Sequence, residues 1–168
     1  MPTCRRSLGP ITAVAALAIL AGGPTRAADP KGRYENAKMK VTMELNPVGS
    51  ERVALSGGTV KLKRRSVKAT FIDLPNDRLV KLKMRLAQEV MDTTDQIVVV
   101  SGGEVSVKDL ASGAPIASGG EFVKGRFRIR RKNDPDRTWI IEHDQRLEVR
   151  EMSGVLTGLS KGTLKAKR

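Results

Sequence analysis

RFRIRRKNDPDRTWIIEH, residues 126–143, is the stretch that decides the fold. Its first part alternates cationic and apolar side chains, which is the period of a strand with one buried face. Its middle, Lys132–Arg137, concentrates Asn, Asp and Pro, which favour turns, and its last part is β-branched and aromatic, as strands prefer. We therefore predict a hairpin with a loop of about six residues. Phe127 and Ile129 should face a core, and the opposite face should carry Arg126, Arg128 and Arg130.

Similar alternation recurs along the rest of the chain. Lys38–Leu45 and Leu147–Met152 alternate, and Ile97–Val100 is a continuous apolar run like a central strand. Residues 79–90 alternate too, but their helix formers also fall at helical spacing, so a helix is the alternative to the strand that we favour there. With turn residues about every ten positions, the chain predicts an all-β protein, an antiparallel sandwich or a jellyroll-like barrel of about eight to ten short strands.

Other segments break the alternation. Ser-Gly-Gly occurs at 56–58, 101–103 and 118–120, where we expect reused turns in which glycine supplies positive φ. The apolar parity changes around Arg64–Ser66, which predicts a bulge or bend. The remaining irregular segments are expected to be a loose leader at 29–36, a loop at 111–120, and an edge strand with a basic tail, or a frayed end, at 154–168.

The N-terminus has the layout of a secretory signal peptide. A short cationic start at Arg5 and Arg6 precedes the uncharged run Ile11–Ala21, Gly22-Gly23-Pro24 breaks it, and the small residues Thr25 and Ala27 stand three and one before a possible cleavage site. The run is too short to span a bilayer, which needs about 20 apolar residues. We predict a signal peptide at 1–27, a single β-rich domain with a basic C-terminal tail at 28–168, no transmembrane span after signal removal, and a periplasmic or secreted location.

The charge balance points to anionic partners. The chain carries a net charge of +13, and removal of the signal leaves 28 Lys and Arg against 18 Asp and Glu, a net charge of +10. An exported protein this basic should be attracted to lipopolysaccharide, acidic lipids, polyanionic polymers or an acidic protein partner. Nucleic acid fits the charge but not the predicted compartment. The few aromatic residues also offer little surface for base stacking, so nucleic acid is not an expected partner.

Catalytic and metal-binding patterns are weak. His143 is the only histidine, and the only cysteine, Cys4, lies in the predicted signal peptide, so a nitrogen and sulfur metal site cannot be assembled. Carboxylate pairs such as Asp134 with Asp136 suit turn capping, and the Ser-Gly-Gly phrases lack the lysine of a phosphate loop. We predict no metal, no cofactor and no enzymatic activity.

The cationic strand faces are the candidate binding site. Adjacent like charges on one strand face repel unless something opposes them. For Arg126, Arg128 and Arg130 we favour internal opposition by Glu142, Glu148 and Glu151 on a paired strand. An external anion is favoured instead where few acids lie nearby, at Lys81, Lys83 and Arg85. All six cations are predicted to contact an anionic ligand if one binds.

The strand–Gly–strand units Ile97–Val107 and Leu147–Leu159 resemble those of the periplasmic OstA-like proteins of lipopolysaccharide transport. The resemblance covers about half of the predicted mature chain, rests on spacing, and departs from the family in the unequal separation of the Ser-Gly-Gly phrases. It implies a β-jellyroll that passes lipid along an apolar trough.

Three classes of function follow from these observations. We first expect an exported non-enzymatic β protein that binds an anionic envelope component or assembles with an envelope partner, with OstA-like lipopolysaccharide transport as a narrower alternative. The second class is an envelope hydrolase that uses acidic residues, which would need a carboxyl with a raised pKa in a cleft. The third is a structural subunit completed by a neighbouring copy, which would make the protein an oligomer.

Overall fold

The computed structural model describes residues 29–168, which form a closed barrel of eight antiparallel strands. A single turn of 3₁₀ helix, Leu74–Asn76, joins the third and fourth strands. The strands are β1 Gly32–Leu45, β2 Gly49–Lys63, β3 Ser66–Asp73, β4 Arg78–Leu86, β5 Asp95–Asp109, β6 Pro115–Arg131, β7 Trp139–Gly154 and β8 Leu156–Lys167.

The strand order is up-and-down. Each strand pairs with its neighbour in sequence, and β1 pairs with β8 to close the barrel. The predicted all-β antiparallel class is thereby confirmed, with eight strands. Most of these strands are longer than the short ones expected, because segments predicted as turns lie inside them.

The hairpin predicted from residues 126–143 is present as the end of β6 and the start of β7. Ile129 pairs with Ile141, and residues 132–138 form the loop. Phe127 and Ile129 are fully buried. For residues 79–90, the favoured strand prediction is confirmed up to Leu86, where β4 ends. Residues 87–90 belong to the connection to β5.

Side chains of alternate residues fill the barrel interior. The largest buried ones include Tyr34, Phe71 and Phe127, none of which exposes any surface. Burial of each large apolar side chain stabilises the fold by roughly 1.5–3 kcal/mol relative to exposure, and no disulfide is available to add to this packing.

A polar cluster lies at the end of the barrel that carries the β1–β2 and β3–β4 turns. The Asn76 amide donates to both Glu51 and Asp73, at 2.9 Å each. Arg78 donates to the other oxygen of Glu51 at 3.1 Å. Asp73 is buried, and the hydrogen bond from Asn76 gives it a partner, which a carboxylate removed from water needs.

The three Ser-Gly-Gly phrases are bulges and bends inside β2, β5 and β6, and the prediction of turns was wrong. Gly57 has φ +65 and Gly120 has φ +94, so glycine does supply the left-handed conformation. Gly58 also permits close packing, since a Cβ there would lie 2.3 Å from Cδ1 of Phe71. A strand that curves around a barrel breaks its alternation at such points, and in sequence this looks like a turn.

Three smaller expectations are also corrected. The change of parity at Arg64–Ser66 comes from a two-residue hairpin turn, with Lys63 opposite Ser66, and not from a bulge within one strand. The expected leader contributes Gly32–Asn36 to β1, where Tyr34 packs in the core. The expected loop at 111–120 is strand from Pro115 onward, because its small residues belong to the bend of β6.

The C-terminal segment forms β8, which is bonded to β7 on one side and β1 on the other and is not an edge strand. The backbone of Arg168 exchanges hydrogen bonds with that of Trp139. Its guanidinium donates to the carbonyl of Asp29 at 2.8 Å and lies over the ring of Tyr34. The predicted signal peptide, residues 1–27, lies outside the described residues. Within the described part, no helix has the length and apolar character needed to cross a bilayer.

Candidate anion-binding surface

The three arginines on the outer face of β6 each have a carboxylate partner. Arg126 pairs with Asp144 at 2.8 Å, and Arg130 pairs with Glu142 at 2.8 Å. Arg128 pairs with Asp95 on β5. The charges of these arginines are therefore opposed within the barrel wall, as the sequence had favoured for this strand.

The identities of the partners were only partly predicted. Glu142 is an expected partner, whereas Glu148 contacts Lys124 at 3.3 Å and Arg150 at 2.6 Å. Asp95 was not foreseen because it lies on β5, and only the β5–β6 pairing, with Asp95 near Arg128, brings it within reach.

These ion pairs shift the pKa values of the acids. The hydrogen bond from Arg128 lowers the pKa of Asp95. Partial burial acts to raise the pKa of Glu142, but Arg130 and Lys165 outweigh it, so its pKa is lowered. Both groups are therefore ionised at neutral pH, and their fixed negative charge reduces the attraction of this region for an external anion.

The cations of β4 are placed differently. Lys83 pairs with Glu104 at 2.9 Å, and both side chains are well exposed. Lys81 and Arg85 are exposed, and no carboxylate of residues 29–168 lies within ion-pair distance of either. Residues 1–28 contain no Asp or Glu, so an acidic side chain from that segment cannot supply the missing partner.

Neighbouring strands add more cations to the same face. Lys61 on β2 lies opposite Lys68 on β3, and Lys68 lies opposite Lys83 on β4. Like charges directly opposite each other in a sheet destabilise it. We call the exposed outer surface of β2–β4 the basic face, and its cations are Lys61, Lys63, Lys68, Lys81, Lys83 and Arg85.

The glycine bulge of β5 shapes one border of the basic face. Lys83, Arg85, Gly103 and Glu104 line a shallow depression of about 220 Å³. A Cβ at Gly102 would lie 3.1 Å from Nη2 of Arg85, so the guanidinium rests over a strand segment without a side chain. A depression of this size can hold one charged group of a larger ligand.

Lys61, Lys63 and Lys68 belong to the basic face but were not among the predicted site residues, and Lys68 lies at its centre. Lys68 alternates with Val67 and Ala69, so its outward direction was readable from the pattern. Its position between two lysines depends on the register of β2, β3 and β4. Recognition of the two-residue turn at Arg64 and Arg65 would have fixed the β2–β3 part of that register.

The only histidine lies in β7, and Asp134 and Asp136 lie in the β6–β7 loop. His143 is opposite Phe127, half-buried, and its Nδ1 has no hydrogen-bond partner. Its neighbours Glu142 and Asp144 are engaged by Arg130 and Arg126. Among residues 29–168, no three His, Cys, Asp or Glu side chains are grouped as a metal site would require.

Comparison with known proteins adds no relative. No protein-family model, curated protein or solved structure matches the chain.

Proposed function

We propose that this chain is an exported, non-enzymatic protein whose basic face binds an anionic component of the cell envelope or an acidic envelope partner. The observation that carries the proposal is the row Lys61, Lys68 and Lys83, in which like charges lie directly opposite one another on three adjacent strands. An anion placed across this row would relieve the repulsion and gain several favourable interactions at once.

The six cations predicted from sequence take two roles in this proposal. Lys81, Lys83 and Arg85 are the contact residues, joined by Lys61, Lys63 and Lys68. Arg126, Arg128 and Arg130 stabilise the wall through their carboxylate partners. Only Glu104 pairs with a cation of the basic face among the described residues.

The outer surface is favoured over the interior as the place where a ligand binds. The OstA-like alternative needs an apolar trough open to lipid, whereas the side chains inside this barrel, including Met39, Leu82 and Phe127, are almost fully buried against one another. The hydrolase alternative needs a carboxyl with a raised pKa, whereas Glu142 and Glu148 in β7 have lowered pKa values.

The proposal predicts binding that depends on salt, since solvent-exposed charges are largely screened beyond about 10 Å at 0.1 M ionic strength. The test uses the double charge reversal Lys81→Glu/Lys83→Glu. The matched control, Lys132→Glu/Arg137→Glu, makes the same change of charge in the exposed β6–β7 loop. Binding of the full chain to vesicles containing an anionic lipid, and to purified lipopolysaccharide, is measured in low and high salt.

We expect the Lys81→Glu/Lys83→Glu variant to lose binding while the control retains most of it. Equal binding by both variants and the unchanged protein would overturn the proposal. A pull-down from the producing cells, washed in low and then high salt, identifies the natural ligand. A partner that survives high salt would indicate an apolar interface and would also contradict the proposal.

A further inference from the structure

A second cluster of cations lines a groove on another part of the outer wall. The groove has a volume of about 430 Å³ and runs over β1, β2 and β8, with one residue from β7. Its cations are Lys40, Arg52, Arg146 and Lys161, and Thr42 and Thr163 also line it. The lining contains no acidic residue.

None of these four cations has a carboxylate within ion-pair distance among residues 29–168. Arg126 and Arg150, also on the outer wall, each have one. Residues 1–28 contain no Asp or Glu that could approach. Four converging cations without an internal counter-charge create a positive potential that attracts anions.

Irregular strand geometry makes the groove. Between the pairs Lys40–Thr163 and Thr42–Ser160, β8 contains one residue more than β1, which is a β-bulge. Lys161 lies in this bulge with φ +54, a backbone conformation that residues other than glycine rarely adopt. Such outliers concentrate at sites where a side chain must be re-aimed.

The adjacent strand pair is irregular at the same level. Between the pairs Glu142–Lys165 and Leu147–Gly162, β7 contains two residues more than β8. Arg146 lies in this widened stretch, and on the opposite side Arg52 pairs with Thr42 of β1. The bulges of β7 and β8 therefore bring cations from four strands to one groove.

We infer that this groove is a separate, compact site for a phosphate-bearing group, such as a phosphorylated sugar or a phospholipid head group. Guanidinium groups match phosphate oxygens with paired hydrogen bonds. The ammonium groups of Lys40 and Lys161 and the threonine hydroxyls can serve the remaining oxygens. The site goes beyond the proposed function, because it shares no cation with the basic face.

The test measures binding of a soluble polyphosphate, inositol hexakisphosphate, by isothermal titration calorimetry with the full chain. The groove variant is Arg52→Gln/Arg146→Gln, and the matched control is Lys132→Gln/Arg137→Gln, which removes the same charge from an exposed loop. We expect the groove variant to bind about tenfold more weakly for each cation removed, and the control to bind within about twofold of the unchanged protein, since loss of exposed charge elsewhere acts only through screened long-range attraction.

Equal weakening in the groove variant and the control would mean that general charge attraction explains the binding, and would overturn the inference. Unchanged binding in the groove variant would overturn it as well. If that variant fails to fold, Lys40→Gln/Lys161→Gln tests the same groove with the other two cations. Lys81→Gln/Lys83→Gln alters only the basic face and separates the two sites. Binding of inositol hexakisphosphate that is lost in this variant but kept in the groove variant would assign the probe to the basic face and overturn the inference. A larger loss in the groove variant than in Lys81→Gln/Lys83→Gln supports the groove site, whether or not the basic face binds an envelope component.

A second arm distinguishes the source of the phosphate. Vesicles of phosphatidylcholine with and without phosphatidic acid are tested for co-sedimentation with the same variants. Binding to phosphatidic acid that is lost in Arg52→Gln/Arg146→Gln assigns the groove to a lipid head group. Binding of the soluble probe alone assigns it to a free phosphorylated ligand.

Discussion

Lys68 of β3 lies directly opposite Lys83 of β4, and both side chains are exposed on the outer wall of the barrel. Lys61 flanks Lys68 on its other side. An acidic side chain at the centre of this row would stabilise the sheet more than Lys68 does, since opposite charges across strands stabilise and like charges destabilise.

The first prediction is that Lys68→Glu makes the protein more stable and weakens its binding to anionic ligands. Lys68→Glu places a carboxylate between Lys61 and Lys83, so the free energy of unfolding should rise by about 0.2–1 kcal/mol at low salt. Binding to anionic vesicles should fall, because the centre of the basic face becomes negative. Urea unfolding and vesicle co-sedimentation measure the two effects.

Lys68→Gln is the control for this prediction, since it removes the repulsion without adding a negative charge, and both of its effects should be intermediate. The gain in stability should shrink in high salt, where exposed charges are screened. A Lys68→Glu protein that is less stable than the unchanged one at low salt would contradict the cross-strand repulsion.

The second prediction concerns neighbouring glycines in the bend of β6. Gly119 and Gly120 both have positive φ, +82 and +94. A Cβ at Gly119 would meet open space, whereas one at Gly120 would lie 2.6 Å from Cγ1 of Val149. Alanine at either position pays the left-handed strain of about 1–2 kcal/mol, and alanine at Gly120 should cost about 1–3 kcal/mol more from overpacking.

Urea unfolding of Gly119→Ala and Gly120→Ala measures the difference directly, because the two variants share the substitution and nearly the same backbone conformation. Equal losses would show that steric contact with Val149 does not limit this bend.

The third prediction uses the only tyrosine. Burial, slightly opposed by the charge of Arg168, raises the pKa of Tyr34 to about 12 from its ordinary value of 10.0. The folded state therefore keeps a proton that the unfolded state loses between pH 10.0 and about 12, so stability should fall across that window. Absorbance of the tyrosinate follows the ionisation without interference from another tyrosine.

Tyr34→Phe separates this effect from every other effect of pH, which the two proteins share. The variant loses the hydrogen bond that the Tyr34 hydroxyl donates to the carbonyl of Pro30 at 2.6 Å, which should cost about 1 kcal/mol at neutral pH. The difference in unfolding free energy between the two proteins should then narrow as the pH rises and change sign within the window, because a pKa raised from 10.0 to about 12 corresponds to about 2.7 kcal/mol, more than the hydrogen bond contributes. A constant difference would mean that Tyr34 ionises with an ordinary pKa.

The fourth prediction concerns acid. Arg130 and Lys165 lower the pKa of Glu142 against the effect of partial burial. Its contribution to stability should therefore be present above the ordinary pKa of 4.5 and be lost as the pH falls through the lower folded value. Glu142→Gln should reduce stability at neutral pH by at most about 1 kcal/mol, since the pair is partly solvated.

Chemical unfolding at neutral pH and below the ordinary pKa tests this statement. Glu142→Gln and the unchanged protein should converge in stability in acid. Divergence there would mean that the carboxylate is not the group whose protonation weakens the β6–β7–β8 contacts.

Much of the strand structure was readable from local pattern. Strict alternation placed Phe127 and Ile129 inside and Arg126, Arg128 and Arg130 outside, because side-chain direction has a period of two. The same logic favoured the strand over a helix for β4. Local pattern gave the wrong prediction for the Ser-Gly-Gly phrases, because a bend within a strand and a turn between strands both use glycine with positive φ.

The candidate sites were less readable, because each depends on which strands lie side by side. The basic face requires Lys61, Lys68 and Lys83 to share one row, and a slip of register would separate them. The groove requires Lys40 and Lys161 to meet across the β1–β8 pairing. The periodicity of the sequence cannot predict this pairing, since it joins the first strand to the last.

That first-to-last pairing also sets an order of events. Hairpins such as β6–β7 join neighbouring segments, whereas the pairing of Glu35 with Lys167 joins the first strand to the last. Because closing a loop over that distance costs more entropy than forming a hairpin, we expect the seam to form late in folding, and an unpaired β1 or β8 would present an open edge to other chains. Trp139, the only tryptophan, lies in β7 and shares backbone hydrogen bonds with Arg168, which follows β8, so we expect its fluorescence to report the docking of β8 onto β7 during refolding.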